Sequence, residues 1–169
     1  MSFEGKVVII TGASSGIGKA CAIEFAKRGA NIVLAARQYV KLCEITQEIH
    51  DTYKVKAIAI QTDVSNEDDC KELIAQTIAT MGKIDILINN AGVQHVAPIE
   101  EFPIAQADMM FSLMLRTPFF LTQKVLPHMY SKKWGKIIGI SSIHGHVASP
   151  NKSVYITAKH GLEGLTKVT

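Results

Sequence analysis

The chain has 169 residues, of which 47% are hydrophobic and 20% are charged, and its formal net charge is +3. This composition excludes an intrinsically disordered chain and predicts one globular domain over residues 1–169. The positive charges form no basic run and no apolar run reaches membrane-spanning length, so we expect neither a nucleic acid nor a membrane as a partner. The amino-terminal stretch lacks a signal-like apolar segment, which indicates a cytoplasmic protein. The histidines and cysteines lack the spacing of metal ligands, so no metal is expected.

The predicted strands are short, apolar and rich in β-branched residues, as expected of strands buried on both faces of a sheet. They cover residues 6–11, 30–36, 55–62, 84–90 and 136–142. Segments with helical spacing alternate with them, at residues 16–28, 40–53, 66–81 and about 103–130, and a further one begins near residue 153. This alternation predicts right-handed βαβ units. We therefore expect an α/β fold of the Rossmann type, a doubly wound parallel sheet with helices on both faces.

The glycine-rich turn TGASSGIG, residues 11–18, follows the first predicted strand and opens the first predicted helix. Glycines allow a tight turn and a close approach to a pyrophosphate, and the helix N-terminus supplies free N–H donors. Glycines in such a turn can be needed only for the shape of the backbone. Here, however, the turn lies between a predicted strand and helix and is followed by a second predicted strand, which favours a dinucleotide site. The predicted cofactor contacts in this turn are Gly12, Ser14, Ser15, Gly16, Ile17 and Gly18.

The spacing of these glycines, the sequence NNAG at residues 89–92, a serine after the fifth strand and the Tyr155–Lys159 pair resemble the short-chain dehydrogenase/reductase family. The resemblance covers the whole chain. It implies an oxidoreductase that uses NAD(P) and acts on a small alcohol or ketone. It also implies that Asp63 and Val64 lie beside the adenine. The remaining cofactor contacts that it implies are Asn90, Ala91, Gly92, Tyr155 and Lys159.

The Tyr155–Lys159 pair can perform proton chemistry, because residues four apart share one face of a helix. Hydride transfer at a carbonyl carbon leaves an oxygen that must gain or lose a proton. A tyrosine with its usual pKa of ~10 can serve only if a nearby cation stabilises the phenolate. Ser142 would hydrogen-bond the substrate oxygen, so Ser142, Tyr155 and Lys159 are the candidate catalytic set. The alternative is an ordinary amphipathic pair, and the upstream glycine turn favours the active site.

Residues 91–103 and 144–169 resemble the members of that family that act on small hydroxy acids. The resemblance implies 3-hydroxybutyrate and acetoacetate as the substrate pair, with Gln94, His144 and Lys152 at the substrate carboxylate. An amide, an imidazole and an ammonium can all donate to a carboxylate. A His144 that only caps its loop and a solvated Lys152 are the alternatives.

Cofactor choice depends on the residues after the second predicted strand. Ala36 stands where a site for NAD(H) usually places an acid, and Arg37 follows it. An arginine can pair with a 2′-phosphate, and no acid occupies this position to repel that phosphate. We therefore predict NADP(H) as the preferred cofactor and NAD(H) as the alternative. A solvated surface arginine is the competing interpretation.

Met114 departs from the family pattern, which has an asparagine at this place to help hold a water that links the lysine to solvent. Methionine cannot donate a hydrogen bond and accepts one only weakly. Two interpretations stay open: an interrupted proton relay, or a side chain that fills the core while backbone carbonyls hold the water. The alternative function is accordingly a catalytically impaired dinucleotide-binding protein.

The helical pattern of residues 153–169 is still running at the last residue. Members of the family continue into a sixth strand, a segment that covers the substrate and a seventh strand. We therefore expect a single NAD(P)-binding domain that lacks these segments and leaves residues 136–141 as an uncovered edge strand. We expect this chain to be weakly active or inactive by itself, and we expect the full-length form to be a homo-oligomer, either a dimer or a tetramer.

Overall fold

The computed structural model describes residues 2–169. Five parallel strands form one sheet: β1 (Val7–Thr11), β2 (Asn31–Ala36), β3 (Ala57–Gln61), β4 (Ile86–Asn89) and β5 (Lys136–Gly139). The helices are α1 (Gly16–Lys27), α2 (Tyr39–Tyr53), α3 (Glu67–Met81), α4 (Ile104–Phe111), α5 (Thr117–Ser131) and α6 (Ser153–Val168). The strand order β3-β2-β1-β4-β5 confirms the predicted Rossmann-type sheet. The chain starts in the middle of the sheet, and its direction of winding reverses between β1 and β4.

Two apolar layers hold the helices against opposite faces of the sheet. Ile9 and Leu87 point to one face and pack with Leu73 of α3 and Leu121 of α5. Neighbouring strand residues point the other way, because successive side chains of a strand alternate. That second layer consists chiefly of Val8, Ile10, Ile86 and Ile88 with Ala22, Leu42 and Ile49 of α1 and α2. Each fully buried aliphatic side chain contributes about 1.5–3 kcal/mol, so the sheet is a rigid support for the loops at its edge.

The prediction that all strands are buried on both faces holds for β1 and β4 and is wrong for the two end strands, β3 and β5, which are only partly buried. As the last strand of the sheet, β5 has a neighbour on one side only, and Ile138 is 37% exposed. A cavity of about 600 Å³ runs along this strand, between α5 and α6. The sequence therefore predicted the uncovered edge correctly, and the burial of its side chains incorrectly.

The segment predicted as one helix over residues 103–130 contains three pieces. Between α4 and α5 the chain forms a π-helical turn at Ser112–Arg116. A π turn closes its hydrogen bonds one residue later than an α turn, so it rotates the residues that follow it around the helix axis. The spacing of apolar residues in the sequence does not reveal a single π-helical turn within a longer helix. Met114 lies on it, close to the candidate site described next.

Candidate active site

A cleft of about 670 Å³ opens at the carboxyl ends of the five strands. One lining residue directly follows each strand; these residues are Gly12, Arg37, Thr62, Asn90 and Ile140. In open α/β sheets, ligands bind at this edge where the winding direction reverses. The reversal between β1 and β4 places the glycine turn and the NNAG segment on either side of that point.

Most of the predicted cofactor contacts line this cleft together. They are Gly12, Ser14, Ser15, Gly16, Ile17, Arg37, Asp63, Val64, Asn90, Ala91, Gly92, Tyr155 and Lys159. Gln94, predicted to contact the substrate, lines it as well. Gly18 instead lies behind the glycine turn, where it contacts Gly12 and Asn90. The sequence analysis missed several further lining residues: Gln38, Ser65, Val93, Met109, Leu113 and Ser141.

The glycine turn is tied to the loop after β4 by a compact set of hydrogen bonds. Asn90 Nδ2 donates to the carbonyls of Thr11 (2.9 Å) and Gly12 (3.2 Å). Thr11 Oγ1 accepts from the backbone N–H groups of Asn90 (3.0 Å) and Ala91 (3.1 Å). Gly12 has a φ of +64°, and a Cβ at Gly18 would lie 2.4 Å from the carbonyl oxygen of Gly12. Both positions therefore require glycine, the first for its backbone angle and the second for the close approach.

The N-terminus of α1 is open towards the cleft. Ser15 is its N-cap residue but makes no side-chain capping hydrogen bond, and Gly16 and Ile17 line the cleft. By contrast, Asn66 caps α3 by accepting from two backbone N–H groups. The first N–H donors of α1 and the positive end of its dipole are thus available to an anion. A pyrophosphate fits this chemistry, and the glycine turn leaves its backbone bare for it.

Opposite charges meet at the other end of the cleft. The carboxylate of Asp63 accepts from the Ser65 hydroxyl at 2.6 Å and from the Ser65 N–H at 3.0 Å. The Ser65 hydroxyl lowers the pKa of Asp63, and the Arg37 guanidinium lowers it further. Arg37 is exposed at the rim. The position after β2 holds no acid, as noted from the sequence, yet Asp63 from the next strand is close enough to influence a ligand there electrostatically.

Lys159 is held beside Tyr155 on α6. Its Nζ donates to the carbonyl oxygen of Ile140 at 2.6 Å and lies 5.6 Å from the centroid of the Tyr155 ring. The lysine is only 5% exposed, and burial lowers its pKa. The two side chains of the predicted pair therefore lie next to each other on one face of α6.

The two serines after β5 face different ways. Ser142 Oγ accepts from the His144 N–H at 3.2 Å and caps a 3₁₀ turn at Ile143–Gly145. Ser141 lines the cleft, and its buried hydroxyl has no hydrogen-bond partner among residues 2–169. The Ser141 hydroxyl lies beside Gly145 and away from open space, and Ser142 does not itself line the cleft. Successive residues of an extended segment point to opposite sides, so the Ser142 hydroxyl points away from that of Ser141. Ser142 lies one residue further along the same segment.

The other predicted substrate contacts gather beside Tyr155. Lys152 Nζ lies 3.2 Å from His144 Nε2, and the His144 ring stands edge-on to the Tyr155 ring with centroids 6.1 Å apart. Because an ammonium only donates, this contact requires Nε2 to accept and puts the ring proton on Nδ1. His144 Nδ1 is buried and has no partner within the described chain. Lys152 and His144 thus contact each other, and the His144 ring packs beside the Tyr155 ring, although neither residue lines the cleft.

Met114 fills the space between the NNAG loop and α6. It is 1% exposed and packs in an apolar cluster with Met110, Val154 and Ala158. A Cβ added to Gly92 would lie 3.5 Å from the Met114 sulfur. An apolar side chain therefore stands where the family pattern has an amide.

The part of the chain that is described, residues 2–169, contains no group of three or more histidine, cysteine or acidic side chains placed to hold a metal ion. Over the same residues, no helix combines the length and the apolar character that a membrane span needs.

Fold and cleft together define an α/β protein of the Rossmann type. The sequence profile of the short chain dehydrogenase family matches residues 6–169, and the chain belongs to this family. It is 41% identical over 165 residues to a D-beta-hydroxybutyrate dehydrogenase of Rhizobium meliloti, covering 96% of this chain and 63% of that protein. It is 39% identical to a protein of the same name from Cupriavidus necator, covering 98% of this chain and 64% of that protein.

Among solved structures, the chain is similar to a metagenomic short-chain oxidoreductase in complex with NADP, with a TM-score of 0.94 and 34% identity. That alignment covers 99% of this chain and 76% of the other. A levodione reductase gives a TM-score of 0.93 and 33% identity, covering 98% of this chain and 65% of the other. The chain thus spans slightly under two thirds of the length of the D-beta-hydroxybutyrate dehydrogenases that it matches.

Proposed function

We propose that the protein is an oxidoreductase that transfers a hydride between NADP(H) and a small hydroxy acid or its ketone, with 3-hydroxybutyrate and acetoacetate as the first candidates. The observation that carries this proposal is the shared cleft: the glycine turn and the Tyr155–Lys159 pair line one continuous space. Two relatives at about 40% identity bear the name of a hydroxybutyrate dehydrogenase, which supports the substrate class.

The cofactor site proposed here spans the full width of the cleft, and residues 1–169 would form one NAD(P)-binding domain. The bare glycine turn and the open N-terminus of α1 would hold the pyrophosphate. Arg37 would pair with a 2′-phosphate, which is the basis for preferring NADP(H) over NAD(H). Asp63 and Val64 would lie beside the adenine. A bound nicotinamide supplies or accepts the hydride.

Proton transfer in this proposal belongs to Tyr155. Its hydroxyl would give a proton to the carbonyl oxygen during reduction and take it back during oxidation. Lys159, fixed by its hydrogen bond to Ile140, would favour the phenolate electrostatically. Ser142 would donate to the same substrate oxygen and hold the reacting carbon in place.

Substrate choice would come from the donors around the phenol. Lys152 brings a positive charge and His144 an Nδ1 without a partner among residues 2–169, and Gln94 lines the cleft from the loop after β4. A small carboxylate can accept from all three, and a neutral alcohol of the same size leaves the buried donor unsatisfied. We therefore expect hydroxy acids to be preferred over simple alcohols.

A second candidate function is a dinucleotide-binding protein with impaired catalysis. The observation in its favour is Met114, which puts an apolar side chain between Gly92 and α6. Such a protein would bind the cofactor and release it unchanged.

A panel of small hydroxy acids and ketones, each tested with NADP(H) and NAD(H), separates the two functions. Cofactor binding is followed by fluorescence, and turnover by the absorbance of the reduced nicotinamide. Binding together with turnover of 3-hydroxybutyrate or acetoacetate supports the oxidoreductase. Binding without turnover of any compound supports the impaired protein. Absence of binding to either cofactor contradicts both. Light scattering on a form extended by the family's carboxyl-terminal segments tests the homo-oligomer expected of the full-length form.

A further inference from the structure

Glu163 occupies the same face of α6 as Tyr155 and Lys159, at successive intervals of four residues. Its side chain is 25% exposed, and its Oε1 lies 3.7 Å from His146 Nε2. The proposed reaction assigns nothing to Glu163. A largely covered carboxylate on the helix that carries the candidate catalytic pair requires an explanation.

Glu163 packs against the 3₁₀ turn at Ile143–Gly145. A Cβ built on Gly145 would lie 3.0 Å from Glu163 Cγ and 3.2 Å from its Oε1. The nearest heavy atom, at 2.6 Å, is the hydroxyl oxygen of Ser141. Gly145 is buried between these two side chains, and no side chain fits there without moving one of them. The contact is therefore close packing against a backbone, which is more specific than a solvated ion pair.

The turn that Glu163 contacts is hydrogen-bonded to Ser142. The Gly145 N–H donates to the Ser142 carbonyl at 2.9 Å, and the His144 N–H donates to the Ser142 hydroxyl at 3.2 Å. A shift of the turn would therefore shift both the backbone and the hydroxyl of Ser142. The turn and the serine behave as one unit.

Helix α6 holds this segment at two points, one on each side of Ser142. Lys159 donates to the carbonyl of Ile140 before the serine, and Glu163 packs on Gly145 after it. The two side chains are one helical turn apart, so α6 acts as a rigid spacer of about 6 Å between the two contacts.

We infer that Glu163 is a positioning residue, which presses the turn at residues 143–145 into place and thereby fixes Ser142 relative to Tyr155. Packing of the side chain against Gly145 carries this effect. The contact with His146 contributes little, because its imidazole is 63% exposed and an exposed pair is screened by water. The expected effect of Glu163 on the catalytic rate rests on the proposed function. Its expected effect on the stability of the turn at residues 143–145 does not.

Amide hydrogen exchange of the peptide covering residues 141–147 tests the inference without turnover. Glu163→Ala should speed exchange in this peptide about tenfold, because the turn loses its support and opens locally. Exchange in the glycine turn, residues 11–18, should stay unchanged. Glu163→Gln keeps the shape of the side chain, so exchange in this variant should remain as slow as in the unmodified protein. Gly145→Ala disturbs the same contact from the other side and should speed exchange on its own.

Steady-state kinetics provide the second measurement. If the proposed reaction occurs, Glu163→Ala should lower kcat at least about tenfold, since a small misplacement costs heavily, and leave the Kd of the cofactor unchanged. Glu72→Ala, a change on the exposed face of α3 far from the cleft, is the matched control and should alter neither readout.

Unchanged exchange at residues 141–147 in Glu163→Ala or in Gly145→Ala overturns the inference, as does a uniform rise over the whole chain. Absence of turnover in the unmodified protein counts against the proposed function only, because the exchange result stands by itself.

Discussion

Lys159 Nζ and the carbonyl oxygen of Ile140 lie 2.6 Å apart, and this hydrogen bond fixes the lysine cation 5.6 Å from the centroid of the Tyr155 ring. The bond joins α6 to the segment that leaves β5, two parts of the chain separated by 19 residues. The Lys159 side chain is almost fully buried, and this burial disfavours its protonated form. Burial of this charge therefore lowers stability at neutral pH.

The buried charge predicts a specific pH dependence of stability. Burial lowers the pKa of Lys159 from 10.5, so between the lowered pKa and 10.5 the unfolded chain binds more protons than the folded chain. The free energy of unfolding must then rise with pH across this window. Denaturant unfolding at about pH 8 and at about pH 10 should show the protein gaining stability relative to Lys159→Met, which has no proton to lose. A constant difference between the two proteins at both pH values would contradict this.

Arg37 should decide between the two cofactors. Loss of a charge-assisted pair with the 2′-phosphate predicts that Arg37→Ala raises the Kd of NADPH about tenfold or more and leaves that of NADH unchanged. Titration by cofactor fluorescence gives both constants. Arg28→Ala, which removes an arginine paired with Glu24 away from the cleft, is the control. Equal weakening for both cofactors would mean that Arg37 is a solvated surface residue.

Gly18 and Gly164 form a matched pair for testing the glycine turn. A Cβ at Gly18 would lie 2.4 Å from the Gly12 carbonyl oxygen and 2.7 Å from Asn90 Nδ2, so Gly18→Ala should cost about 1–3 kcal/mol and weaken cofactor binding. Gly164 lies inside α6 with open space around it. Gly164→Ala should therefore stabilise the protein by about 0.5–1 kcal/mol without altering binding. Thermal unfolding and cofactor titration of both variants check the pair, and equal effects would show that the turn does not need its glycine.

Substitution of Met114 tests whether a proton relay from Lys159 to solvent is interrupted at this position. Met114→Asn should raise kcat with nearly unchanged cofactor affinity, because it returns an amide to the space beside Gly92 and α6. It should also lower stability by about 1–3 kcal/mol, because an amide replaces a fully packed thioether. Met110→Asn, one turn earlier in the same apolar cluster, should cost similar stability and give no gain in kcat. An unchanged kcat in Met114→Asn would favour the packing interpretation.

The sequence predicted the elements and their order well because each depends on local patterns. Apolar runs bounded by turns identify strands, and the glycine turn identifies the edge of the sheet where loops from every strand converge. The cofactor residues predicted from the glycine turn line one cleft except for Gly18, and those implied by the family resemblance line the same cleft. Their roles stay predictions.

Features set by three-dimensional packing could not be read in this way. The π turn at Ser112–Arg116 leaves the helical period almost intact, so one continuous helix was expected. The opposite directions of the Ser141 and Ser142 hydroxyls depend on the extended backbone at Ser142. Glu163 looks like an ordinary charge on an amphipathic helix, and only the close approach of Gly145 reveals its contact.

The most direct test of the proposed hydride transfer is to follow an isotope through the reaction. The protein is incubated with acetoacetate and reduced cofactor that carries deuterium at C4 of the nicotinamide, and the product is analysed by mass spectrometry. Deuterium should appear at C3 of 3-hydroxybutyrate, and Tyr155→Phe should slow this transfer about 10²–10⁴-fold while its cofactor Kd stays unchanged. Deuterium transfer of equal rate in Tyr155→Phe, or no transfer by a protein saturated with cofactor, would contradict the proposal.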